Sequence, residues 1–178
     1  KGSLNGGDLQ AEQFQLATEA NNELFKVQFR AQGAKVNSFQ VIPELTDNVN
    51  RVPVKQSQLT NINDPVAAFL IKADSLSPAI CNRQMRIFTG IERFDINMSF
   101  AENQTATSQR TGYQGPVVLC KLKYNPVSGH FSDSASTTYM KNNQRFLMWF
   151  APLKDTGYVI PYRVLVGTAF GDLSMVLT

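Results

Sequence analysis

Between Arg93 and Phe100 the chain alternates without a break: Phe94, Ile96, Met98 and Phe100 are apolar, while Arg93, Asp95, Asn97 and Ser99 are polar. A period of two puts successive side chains on opposite faces of an extended strand, whereas a helix needs apolar residues three and four apart. The same period recurs along the chain. Phe14 and Leu16 alternate with glutamines, the turn-like Ala20-Asn21-Asn22 follows, and Phe25, Val27 and Phe29 then alternate with Lys26, Gln28 and Arg30. This predicts a hairpin with one buried face. Further strands are expected at Lys35–Val41, at Met85–Phe88 before a Thr89-Gly90 turn, and at Val118–Tyr124, broken by Pro126 and Gly129. Phe146–Phe150 is apolar on both faces, which marks a strand covered on both sides. Val159–Val166 and Leu173–Leu177 predict a closing hairpin. Pro43–Asn63, with its prolines and amides, and the polar stretch Glu102–Thr111 are expected to be irregular. A mainly β, antiparallel fold follows, organised as one domain over residues 1–178.

One segment breaks the pattern. Asn63-Asp64-Pro65-Val66-Ala67-Ala68-Phe69-Leu70-Ile71 predicts a short helix near 64–72. Asp64 is a capping residue, Pro65 suits the first helical position, and Val66, Phe69 and Leu70 share a face.

Cys81 and Cys120, 39 positions apart, are the only cysteines. His130 is the sole histidine, so a cysteine–histidine zinc site has too few ligands. A disulfide is the expected state, and a pair of free buried thiols is the alternative. A disulfide implies an oxidising compartment and hence export, with any leader lying ahead of Lys1.

Composition and motifs exclude several functions. The net charge is +3 with scattered lysines and arginines, so the basic patch of a nucleic-acid binder is missing. The longest apolar run, Phe146–Pro152, has strand length, which leaves at most a peripheral membrane association. Ser128-Gly129-His130-Phe131-Ser132-Asp133 holds the residue types of a catalytic triad, but adjacency in a turn does not supply a triad's geometry. His130 reads as a turn residue, and Asp47, Asp64, Asp74 and Asp95 as turn, cap or exposed strand residues. Glu92 and Arg93 read as a solvated edge. No catalytic residue, metal or cofactor is expected. Phe69, Phe94, Phe100, Phe146, Trp149, Phe150 and Tyr162 could line a lipid cavity, but from the residues alone ordinary core is the favoured reading.

Three segments carry a resemblance: Cys81–Phe100, Gly115–His130 and Trp149–Leu173. A cysteine precedes a phenylalanine–x–glycine–x–x–arginine turn at Phe88, Gly90 and Arg93. A second precedes tyrosine–x–proline–x–x–glycine–histidine at Tyr124, Pro126, Gly129 and His130. With the Asn63-Asp64-Pro65 start, this resembles the exported bacterial family catalogued as domain of unknown function 3108, in its proteobacterial branch. The resemblance implies a periplasmic protein built on an open, strongly curved antiparallel half-barrel like those of the lipoprotein carriers LolA and LolB. It carries no catalytic residues. A non-catalytic binder or carrier of a lipid or acyl chain is the expectation. The side chains expected to face the ligand are Phe69, Leu70, Phe94, Ile96, Met98, Leu122, Tyr124, Trp149 and Tyr162. A structural or interaction module of the cell envelope, with a filled core, is the alternative. Family members carry further strands before the segment that begins at Lys1. The resemblance therefore implies an open edge at Leu9–Thr18, available to an envelope protein or a second copy.

Overall fold

Asn21 and Asn22 adopt positive φ values of 52° and 61° in the computed structural model. That is the left-handed pair a two-residue hairpin turn requires, and asparagine tolerates it better than most residues. The turn joins β3 (Gln13–Ala20) to β4 (Glu23–Gln32), with Ala20 opposite Glu23. Residues 1–5, 8–109 and 112–177 are described.

The fold is mainly β, with 56% of the described residues in strands. β4 pairs in turn with β5 (Lys35–Ile42), making a three-stranded sheet ordered β3-β4-β5. The strand expected at Leu9–Thr18 is divided. β2 (Asp8–Ala11) pairs with β1 (Gly2–Asn5), and the N–H groups of Glu12 and Gln13 both donate to the Lys1 carbonyl before β3 begins. The large sheet contains β6 (Ile71–Lys72), β7 (Gln84–Phe88), β8 (Arg93–Ala106), β9 (Gly115–Ser128), β10 (Phe146–Leu153), β11 (Tyr158–Thr168) and β12 (Gly171–Val176). Its order is β12-β11-β10-β9-β8-β7, with β6 added on β11; the fold includes an open, strongly curled half-barrel of antiparallel strands. Among the described residues no helix is long and apolar enough to cross a membrane.

The chain forms two compact units. The first comprises Lys1–Ala68, Met85–Asp95 and Asn125–Lys141; the second comprises Phe69–Gln84, Ile96–Tyr124 and Asn142–Thr178. The core of the first gathers Ala11, Phe29, Val36, Leu59, Ile62 and Phe88, with Phe14 stacked on Phe29. The core of the second gathers Val117, Leu119, Trp149, Ala151 and Tyr162. On the other face of its strands Met148, Cys120, Phe150 and Val118 are also buried, as the two-sided apolar pattern of β10 requires. Cys81 and Cys120, both fully buried, are joined by a disulfide with a Cα–Cα distance of 5.5 Å.

Three expectations need correction. The segment near 64–72 is not a helix. Asp64 caps as expected, its Oδ1 accepting from the N–H groups of Val66 and Ala67, but residues 65–69 form only turns. Ile71–Lys72 is drawn instead into pairing with Val159 and Tyr158 of β11, where sheet hydrogen bonds replace those a short helix would offer. The α-helix lies at α1 (Ala135–Asn142). β8 runs on to Ala106, through the first part of the stretch read as a polar loop, because Ala101 and Ala106 pack on the core of the second unit and Gln104 Oε1 accepts from Trp149 Nε1 at 2.7 Å; Arg110 and Thr111 of that stretch lie outside the described residues. β9 continues through Pro126. Its register with β10 ends at Lys121, so the missing proline N–H costs that ladder nothing.

In the second unit Tyr113 Oη donates to the Pro116 carbonyl, and its ring meets Tyr162 edge-on at 5.8 Å. Burial holds its pKa above the ordinary 10.0. The fold therefore favours the neutral phenol, and its contribution to stability is intact below pH 10.0 and lost as pH rises through the higher folded-state value. Alkaline unfolding should show this slope, and Tyr113→Phe should remove it.

Candidate functional site

The two motifs of the resemblance meet in the first unit around one turn. Thr89 Oγ1 accepts from Glu92 N–H at 3.1 Å, and Thr89 N–H donates to the Glu92 carbonyl. Gly90, at φ +92°, lies so close to Val27 that a Cβ there would overlap Val27 Cγ1. Gly129, at φ +84°, backs onto the same turn: a Cβ would overlap the Ile91 carbonyl oxygen and lie 2.8 Å from Glu92 Cα. Both positions demand glycine twice over, for backbone conformation and for space.

Arg93 is a correction to the solvated edge expected there, being 4% exposed. Its Nε donates to the Gln58 carbonyl at 3.1 Å, and its Nη1 pairs with Asp95 Oδ1 at 2.6 Å. Asp95, expected to be exposed, keeps only 19% of its side chain accessible. The tight turn folds the first residue of β8 inward, where a guanidinium must bring partners with it. Arg93→Met should cost about 2–3 kcal/mol in urea unfolding, because Asp95 loses its counter-charge and the Gln58 carbonyl its donor.

The segment read as irregular is zipped to the second motif. Gly129 N–H donates to the Val52 carbonyl at 2.7 Å, Val52 N–H to the His130 carbonyl at 2.9 Å, and Ser132 N–H to the Asn50 carbonyl at 2.7 Å. Arg51 Nη1 donates to the Gly129 carbonyl at 2.8 Å, and the guanidinium stands 4.3 Å above the Phe131 ring. Leu45–Val54 thus forms one wall of a groove of about 540 Å³, completed by Phe39, Gly90, Ile91 and Gly129. Leu45, Val49, Val52, Pro53, Val54, Phe39 and Ile91 make it largely apolar, and Arg51 and Asp47 place one charge of each sign on its lining. Val49 is fully exposed, and Phe39, 46% exposed, is held edge-on against buried Phe88.

The triad residue types do not form a relay. Asp133 Oδ2 accepts from Asn50 Nδ2 at 2.8 Å. Among the described residues neither buried Ser128 Oγ nor His130 Nδ1 has a hydrogen-bond partner. The described residues also contain no cluster of histidine, cysteine, aspartate or glutamate suited to a metal ion.

The side chains named from the sequence lie elsewhere. Ile96, Met98, Leu122, Trp149 and Tyr162 are buried, and Trp149 and Tyr162 share the core of the second unit. Phe69, Leu70, Phe94 and Tyr124 are half-buried. None of these nine lines the groove. Sequence reasoning missed Phe39, Leu45, Val49, Arg51, Val52 and Ile91. The available signal was the apolar set Leu45, Val49, Val52 and Val54 inside a stretch otherwise read as polar connection.

One protein family matches the sequence over residues 1–178. The chain belongs to the family described as Protein of unknown function (DUF3108). Neither the curated proteins nor the solved structures contain a significant match. The site of this DUF3108 protein must therefore be argued from its own residues, and its motif glycines, Gly90 and Gly129, both lie on the groove lining.

Proposed function

We propose that this DUF3108 protein is a non-catalytic binder or carrier of an apolar ligand, an acyl chain in the simplest case, held in the groove of the first unit. The observation that carries the reading is the groove itself. Its volume of about 540 Å³ lies within the range of small-molecule sites, roughly 300–1,000 Å³, and its walls are side chains of Leu45, Val49, Val52, Val54, Phe39 and Ile91. A natural soluble surface rarely leaves such a set uncovered without a use. Binding would be tolerant of shape, each buried CH₂ adding about 0.8 kcal/mol. The Cys81–Cys120 disulfide supports an oxidising compartment, and the periplasm, which the family resemblance implies, is the compartment this reading proposes.

The competing reading is an interaction module of the cell envelope with a filled core. It is favoured by the burial of Ile96, Met98, Leu122, Trp149 and Tyr162. Titration with a fluorescent fatty acid separates the two. Val49 is fully exposed, so Val49→Glu should leave the fold intact and weaken binding about tenfold or more. Saturable binding with an unchanged Kd in that variant, or no saturable binding at all, would remove the groove from the account.

A further inference from the structure

β12 has a strand partner on one side only among the described residues, since the order of the large sheet ends with it. Its register with β11 sets Leu173 opposite Val166, Ser174 opposite Leu165 and Met175 opposite Val164. Leu177 N–H donates to the Tyr162 carbonyl at 2.9 Å, which fixes the parity of the ladder. The backbone groups of Leu173 and Met175 turn to β11, and those of Asp172, Ser174 and Val176 turn outward.

Edges of this kind are usually blunted by lysine, proline or an inward-pointing charge. Gly171–Val176 contains neither lysine nor proline. Its one charged side chain, Asp172, is already paired with Arg145 Nη2. Leu173 and Met175, on the outward-facing side of the strand, remain 56% and 58% exposed.

We propose that this edge is a self-association surface whose occupant is β12 of a second copy of the chain. The register decides the occupant, because the strand is complementary to itself. Antiparallel pairing about a twofold axis at Ser174 sets Ser174 against the second copy's Ser174, and Asp172 against its Val176. The outward N–H and carbonyl groups of these residues then satisfy one another. Leu173 falls opposite the second copy's Met175, and Met175 opposite its Leu173, at the close non-hydrogen-bonded positions where side chains touch most. No like charges meet, and the contact closes as a dimer because it is isologous. This edge belongs to the second unit, and the proposal is independent of the ligand groove in the first.

Two variants and a mass measurement test it. By sedimentation or light scattering the full chain should double in mass as its concentration rises. Ser174→Pro removes the outward N–H at the axis and leaves the backbone bonds to β11 in place, losing there only the exposed Ser174 Oγ that accepts from Arg163 Nε at 3.0 Å, so it should give a folded monomer. Ser174→Cys introduces the one thiol outside the Cys81–Cys120 bond, and on mild oxidation it should give a disulfide-linked dimer. Asp172→Cys, which faces Val176 across the axis, should cross-link far less. A mass that stays monomeric would overturn the proposal. So would a Ser174→Pro dimer, which would place the contact on another surface such as β3. Equal cross-linking from positions 172 and 174 would also overturn it, since it would show contact without register. Should Ser174→Pro fail to fold, the comparison of the two cysteine variants decides.

Discussion

Gly129→Ala is expected to destabilise the protein by about 4 kcal/mol, enough to leave much of it unfolded if its stability is ordinary. Two costs combine. Gly129 sits at φ +84°, a region that costs an L side chain about 1–3 kcal/mol. The added methyl also overlaps the Ile91 carbonyl oxygen and approaches Glu92 Cα to 2.8 Å. Backbone on both sides must then shift, a form of overpacking that costs about 1–3 kcal/mol. The damage should spread along the zipped segment, because Gly129 N–H and carbonyl hold Val52 and Arg51 in place. Urea unfolding monitored by circular dichroism measures the loss. A midpoint within experimental error of the wild type would mean that the Thr89–Arg93 turn can move aside, and the tight framing of the groove would be wrong.

Cys120→Ser should have an effect of similar size. The bond closes a loop spanning 39 positions, worth roughly 4 kcal/mol in the chain-entropy model. Both sulfurs lie in fully buried residues, so the variant also leaves a thiol and a hydroxyl in apolar surroundings beside Met148, which stands opposite Cys120. A loss of about 2–5 kcal/mol is expected. Reduction of the wild type should reproduce most of it, and the reduced protein and the variant should unfold at nearby urea concentrations. A reduced wild type as stable as the oxidised one would show that packing around residues 81 and 120, and not the covalent bond, holds that region.

The strands and the tight turns were legible because their signals are local. Alternation in Phe25–Arg30 and Phe94–Phe100 needs only the pleat of a strand, and Asn21-Asn22 needs only a residue type that accepts positive φ. The disulfide was legible by the shortage of any other use for the cysteines. What the sequence concealed depends on partners far along the chain. The turn at 65–69 keeps the cap expected of a helix, yet Tyr158 and Val159, nearly ninety positions on, take Ile71–Lys72 into a sheet. Pro126 lies in β9 beyond the residues that pair with β10, so it breaks no bond of that ladder. Arg93 looks like a surface residue until Gln58 and Asp95 are seen around it. The groove was hidden for the same reason. Leu45, Val49 and Val52 stand at i, i+4 and i+7, a helical spacing in a segment that forms no helix, and they become a wall only when Asn50–Val52 pairs with Gly129–Ser132. The aromatic residues that drew attention first, Trp149 and Tyr162, serve the core of the second unit.

The central claim is that the apolar groove of the first unit holds a ligand. Native mass spectrometry of gently isolated protein, followed by organic extraction, tests it most directly. The account predicts an adduct of acyl-chain mass on the wild type, absent or much reduced on Val49→Glu prepared in the same way. Wild-type protein that carries no extractable apolar species, and that takes up none when incubated with free fatty acids or phospholipid vesicles, would contradict it.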